Sequence, residues 1–350
     1  MRQPLRLPTV SPVVFQRLTR VSVVLLALIV VTGGAVRLTG SGLGCPTWPR
    51  CGEDSFVTQS EYSVHGWIEF GNRLLTTVVG AVMLLLPLVS LRLRERRRDL
   101  VLLAFGLWLG FLGQVVLGGL TVLFKLHPAL VAGHFLLSML LLLDVVALDR
   151  RARAGPGPAR PAGGRELRWL SRLLVGVAGA VLVLGTVVTG TGPHSGDSAE
   201  AKRFGFDITN VAQLHADAAM LLVGLVIATV LTVRVGGASW EAVRASNALA
   251  VITVAQAGVG FVQYFTGVPV ALVELHIAGA TALWIAALHV WLAMVNRPAP
   301  VDLPASPPGP RRPPPTGHPA DPTAGAPAAD DPTSGDAAGT ADQHRSKAPL

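Results

Sequence analysis

The sequence predicts an all-α membrane protein: eight transmembrane helices forming two parallel-repeat four-helix bundles, plus a disordered C-terminal tail. Three observations predict it: eight apolar runs of spanning length, a repeat that superposes the two halves, and charge gathered in the connections. The 350 residues are 51% hydrophobic and only 14% charged, with a mean hydropathy of +0.52. A soluble domain carries about 25% charged residues.

The apolar runs lie at 21–36, 67–91, 100–123, 130–148, 171–189, 210–233, 245–266 and 271–294. Most approach the roughly 20 residues that cross about 30 Å of hydrocarbon. The repeat is clearest between Gln114–His134 and Gln256–His276, since 256 − 114 and 276 − 134 are both 142. Under that shift Gln114/Gln256, Gly118/Gly260, Ala129/Ala271, Leu130/Leu272, Val131/Val273 and His134/His276 are identical pairs. The end of the first run, Thr39-Gly40-Ser41-Gly42, recurs after the fifth as Thr189-Gly190-Thr191-Gly192. The first run therefore reads as helix 1 of a repeat and not as a removed leader. Four helices per repeat leave both halves in one orientation, unlike the inverted repeats of many transporters.

Domain limits follow: a basic arm 1–20, an N-terminal bundle 21–148, a linker 149–170, a C-terminal bundle 171–295 and a tail 296–350. The linker is rich in Gly and Pro. The tail is rich in Pro, Ala, Gly, Asp and Thr without apolar period, a composition that buries too little surface to offset ordering entropy. His318 and His344 fall there and carry no expected role. Arginines crowd the 92–98 connection (Arg92, Arg94, Arg96, Arg97, Arg98) and the linker, while alternate loops hold few. Basic loops face the cytoplasm, so both termini are expected inside a bacterial plasma membrane crossed many times. The net charge of +8 then reads as topology signal at an anionic leaflet and not as a nucleic-acid surface. The only two cysteines, Cys45 and Cys51, fall in an outer loop, where a disulfide is permitted.

Four odd residues stand about five or six positions into helices 2, 4, 6 and 8: Asn72, His134, His215 and His276. An ionisable group inside a span is costly and by default functional. Imidazoles on two helices of one bundle suit the two axial positions of haem iron, so His215 and His276 are read as one ligand pair. The N-terminal half offers His134 alone, with Asn72 near the place of His215 (215 − 72 = 143). That asymmetry points to a permanent haem in one half and a site with an open iron face in the other.

Glu69 shares a helix face with His65 and Asn72 at i, i+4 and i+7. A carboxylate there suits proton transfer, and the plainer reading is an ion pair with Arg73 at i+4. Arg37 and Arg73 are candidate contacts for haem propionates, or snorkelling cations. His127 and His194 read as solvated loop residues. Trp48, Trp67 and Trp291 read as interfacial anchors, and Gly113, Gly118 and Gly119 as close helix packing.

Three stretches resemble the haem A synthase family: Arg37-Leu-Thr-Gly-Ser-Gly-Leu-Gly-Cys-Pro-Thr-Trp-Pro-Arg-Cys51, Ile68-Glu-Phe-Gly-Asn-Arg-Leu-Leu-Thr76, and the spaced histidines of helices 4, 6 and 8. The resemblance runs from about residue 15 to 296. It implies haem b held by His215 and His276, and substrate haem O beside His134 with Glu69 essential. It also implies an extracytoplasmic Cys45–Cys51 disulfide. The implied reaction oxidises a porphyrin methyl group, through hydroxymethyl, to formyl, giving haem A for terminal oxidase assembly. A haem O synthase is the implied supplier. The sequence departs from the family at Asn72, where many members carry histidine in Glu-x-x-His. Two other classes compete: a transmembrane electron-transfer cytochrome and a haem transporter. Ligands gathered at one face disfavour the first, and the lack of broken helices disfavours the second.

Overall fold

The protein is described from a computed structural model, over residues 9–45, 47–52, 55–57, 63–95, 97–194 and 202–296. Eight helices occur among these residues: α1 (Pro12–Leu38), α2 (Ser63–Ser90), α3 (Arg98–Leu123), α4 (Pro128–Arg153), α5 (Arg165–Thr191), α6 (Ile208–Val235), α7 (Trp240–Phe265) and α8 (Val270–Ala293). All eight are long and apolar enough to cross a membrane. A two-residue strand, β1 (Arg160–Pro161), pairs antiparallel with β2 (Val295–Asn296). The tail expected over 296–350 lies outside the described residues apart from Asn296.

The helices outrun the apolar runs because their polar ends are capped or paired. α1 starts at Pro12, not at Val21, so half of the expected basic arm is helical. The Ser11 side chain accepts from the Val14 N–H at 3.4 Å, and proline suits the first helical position. Arg17 and Arg20 thus ride on a helix, where long cationic side chains reach the interface. α4 continues past residue 148 to Arg153 because Asp149 pairs with Arg153 one turn on and accepts from Thr19 Oγ1 of α1 at 2.9 Å. The linker expected over 149–170 shrinks to 154–164 between α4 and α5.

Packing divides the helices into two rings of four. α1 touches α2 and α4, and α3 touches the same two; α5 and α7 each touch α6 and α8. The backbones of the diagonal pairs α2/α4 and α6/α8 stay farther apart, with no Cα pair within 8 Å. The rings meet where α1 and α4 lie on α8, and α4 on α5. Trp284 of α8 donates from Nε1 to the Met139 carbonyl of α4 at 2.9 Å, satisfying its only polar group in this buried seam. Without a hydrophobic force between spans, such close packing holds the helices together. α3 supplies the grooves: Gly110 lies under Leu141 of α4, with Cδ2 2.5 Å from where a Cβ would stand, and Gly113 lies under Leu137. Leu102, Leu109, Val251 and Val254 project outward, as lipid contact requires.

The 142-residue repeat extends to the backbone. Lys125 and Gly267 have positive φ (47° and 75°), as do the next residues, Leu126 and Val268 (56° and 54°). The Leu126 N–H bonds the Thr121 carbonyl at 2.7 Å, and the Val268 N–H bonds that of Gln263 at 2.8 Å. Left-handed backbone costs a non-glycine residue about 1 kcal/mol. Leu126 offsets that cost by burying its side chain over Gly42 of the α1–α2 loop, 3.0 Å from a Cβ position there.

Candidate metal-ligating and catalytic site

His215 and His276 face each other across the diagonal of the C-terminal ring. Their ring centroids are 6.4 Å apart, inclined at 67°. Two imidazoles ligating one metal at about 2 Å place their ring centres about 6 Å apart. Each ring rests on a glycine of the preceding helix. Cε1 of His215 lies 3.3 Å from a Cβ position on Gly185, and Cε1 of His276 lies 3.4 Å from one on Gly260. Nδ1 of both rings is buried with no hydrogen-bond partner among the described residues, and the His215 ring also approaches the Val181 carbonyl of α5. Gln256 of α7 donates to the His276 carbonyl at 2.9 Å, its amide lying over Gly279, where any Cβ would collide with it.

The N-terminal ring repeats half of this arrangement. His134 rests on Gly118, with Cε1 3.2 Å from the Cβ position, and Nδ1 is again buried without a partner among the described residues. Gln114 donates to the His134 carbonyl at 3.1 Å and to Ser138 Oγ at 2.5 Å. Gly118 thus seats a histidine, beyond the close helix packing its sequence suggests. On α2 the counterpart of His215 is Asn72, whose Oδ1 accepts from Thr32 Oγ1 of α1 at 2.9 Å.

Glu69 is 5% exposed. Its Oε2 accepts from the Cys45 N–H at 2.7 Å, and its Oε1 accepts from Arg73 Nε at 3.1 Å and Nη2 at 2.5 Å. The i+4 ion pair is formed. Arg73 also donates to the Thr47 and Arg50 carbonyls at 3.1 and 3.0 Å, leaving it little capacity for a propionate. Arg37 stands in the last turn of α1, where a cation complements the helix dipole.

These bonds fasten the loop between α1 and α2 onto the helices. Cys45 and Cys51 form a disulfide, buried at 0% and 1% exposure. Trp48 lies on Gly119 of α3, with ring atoms 2.8 Å from a Cβ position. It docks the loop beside the His134 seat, a more specific role than interfacial anchoring. Gly44 lies against the His65 carbonyl so closely that a Cβ would collide with α2 backbone. His65 itself shares a hydrogen bond with Ser41 at 2.9 Å. Gly44→Ala is expected to lift the loop, at a cost of about 1–3 kcal/mol, seen as a lowered melting temperature of the detergent-solubilised protein. Cys45→Ser is expected to cost about 2 kcal/mol, the entropy of so small a ring, and to expose the loop to limited proteolysis.

His194 differs from the solvated loop residue expected. Its Nε2 meets the Val268 carbonyl at 2.8 Å, tying the α5–α6 connection to the α7–α8 turn. His127 is the residue before α4, without a side-chain cap bond. Trp291 packs against the core, while Trp67 is exposed. Two carboxylates went unnoticed in the sequence: Asp144 of α4, facing Gly106, and Glu274 of α8, facing Gly34. Oδ1 of Asp144 and both oxygens of Glu274 are buried without hydrogen-bond partners among the described residues. A charge inside an apolar run is the signal that would have flagged them.

Fold and site together define a two-bundle integral membrane protein, with one opposed imidazole pair and one lone imidazole near the same end. The chain matches, over residues 16–288, the family described as cytochrome oxidase assembly protein (COX15-CtaA), and it belongs to that family. It is 25% identical over 279 residues to a protein of Exiguobacterium sibiricum named heme A synthase, covering 76% of this chain and 86% of the relative. Bradyrhizobium sp. and Azorhizobium caulinodans have proteins of the same name, 29% and 27% identical. Those matches cover 72% and 75% of this chain, and 83% and 89% of the relatives.

Proposed function

We propose that this chain is a haem A synthase, an oxidoreductase that converts haem O to haem A in the service of cytochrome oxidase assembly. The observation that carries the proposal is the opposition of His215 and His276 at 6.4 Å, in a family whose curated relatives bear that name. The C-terminal bundle, 171–295, would hold haem b through these two residues. Their spacing and unmet buried nitrogens fit the group. When bound, haem b supplies one-electron carriage.

The N-terminal bundle, 21–148, would hold haem O as substrate. His134 would ligate its iron, Asn72 would line the pocket, and Arg37 stands at the end suited to a propionate. Glu69 would take up and release the protons at the reacting edge, where a porphyrin methyl would gain one oxygen atom and lose four electrons to an external acceptor, passing through hydroxymethyl to formyl. Arg73 and the Cys45 N–H fix the position of that carboxylate. The disulfide loop, packed on α2 and α3, shields that edge from water.

The arginine-rich connections support a reading with both termini in the cytoplasm of a bacterial plasma membrane and the disulfide loop on the oxidising side. A haem O synthase would be the supplier, since its product is the substrate of this reaction. Membranes containing the chain and supplied with haem O are expected to accumulate a formyl haem absent from control membranes. An active preparation yielding none contradicts the proposal. Asn72→Ala is expected to leave the C-terminal haem in place, measured as an unchanged low-spin absorption band.

A further inference from the structure

Resting on the haem reading above, we infer that the N-terminal haem has a single protein ligand, and that its other axial face takes a small neutral diatomic beside Asn72. The repeat places Asn72 where the C-terminal bundle has His215, and an amide is a poor iron ligand. The Asn72 oxygen is already held by Thr32, and its amide nitrogen donates to no described residue.

The other imidazole on α2 does not substitute for it. His65 lies seven residues earlier, about 10 Å along the helix. Its Nδ1 is bound to Ser41, itself fully buried and anchored by its N–H to the Val36 carbonyl at 2.9 Å. Gly44 packs on the His65 carbonyl, so the backbone is pinned as well. His194 is engaged by the Val268 carbonyl, and both cysteines are consumed in the disulfide.

The bundles therefore differ in kind. Where two imidazoles oppose each other, both axial positions are filled; where His134 stands alone, one remains for a ligand from outside. Ligand access and nearby hydrogen-bond donors decide whether a haem pocket binds a diatomic. The amide N–H groups of Asn72, which donate to no described residue, are the donors that the repeat would set on that face.

The test is a carbon monoxide titration of the purified full-length protein with both haems reduced. About half of the total haem is expected to bind the gas. Asn72→His is expected to reduce that fraction roughly tenfold by filling the face, while Asn72→Ala retains it. His65→Ala is expected to change neither the fraction nor the resting spectrum. Two haems that both ignore carbon monoxide, an Asn72→His protein that binds as much as the parent, or an increased fraction in His65→Ala would overturn the inference alone. A folded protein that never holds haem overturns the reading beneath it.

Discussion

His276→Ala is expected to strip the C-terminal bundle of its low-spin haem. Removing a residue that merely orients a metal ligand weakens retention about 10–100-fold, and loss of the ligand itself is expected to exceed that range. His276 is held three ways: its ring by Gly260 beneath and His215 opposite, and its backbone carbonyl by Gln256. With His276 gone, His215 would still offer one nitrogen, but neither Gly260 nor Gln256 offers a second, so no neighbour compensates. Gly260→Ala is the milder comparison. A Cβ there would stand 3.4 Å from Cε1, so the ring yields by a few tenths of an ångström and the band shifts without vanishing. Absorption and magnetic spectra of the purified variants separate the outcomes, and an unaltered low-spin spectrum in His276→Ala rejects the ligand assignment.

The second large effect is expected at Glu69. Glu69→Gln should retain both haems but lose about 10²–10⁴-fold in turnover, the range for removing a positioned acid–base group. The ion pair complicates that experiment, because glutamine leaves Arg73 uncompensated at the loop, at a cost of order 3 kcal/mol. The double variant Glu69→Gln/Arg73→Met removes both charges, and because it also gives up the Arg73 bonds to the Thr47 and Arg50 carbonyls, it is compared with Arg73→Met alone. If Glu69 served only to hold Arg73, the double variant would recover activity. A proton-handling role predicts a folded, haem-loaded and inactive double variant.

Much of the fold was legible because membrane spans announce themselves by composition. Their ends were not. Whether α1 begins at Pro12 or Val21 depends on a serine cap and on arginines that reach back to the interface. α4 runs on through Arg150 and Arg151 because Asp149 pairs with both Thr19 and Arg153. The site divides the same way. His134 and His276 stood out as charges in apolar runs repeated at one interval, and Gln114 and Gln256 were visible as an identical pair. That the glutamines bind the histidine carbonyls, and that the glycines seat the rings, required neighbouring helices to be brought together. The fastening of the disulfide loop was hidden for the same reason. It joins Cys45 to Glu69, Trp48 to Gly119 and Gly44 to His65, all through backbone groups or close approaches that leave no mark in composition.

The most direct measurement is mass analysis of the porphyrins extracted from the purified chain after expression with haem O, alongside the Glu69→Gln variant. The account predicts haem b in both. The active protein should also carry a porphyrin heavier than haem O by the difference between formyl and methyl, and the variant unconverted haem O. A parent protein that carries haem O unchanged through demonstrated electron turnover, or that carries no porphyrin while fully folded, would contradict it.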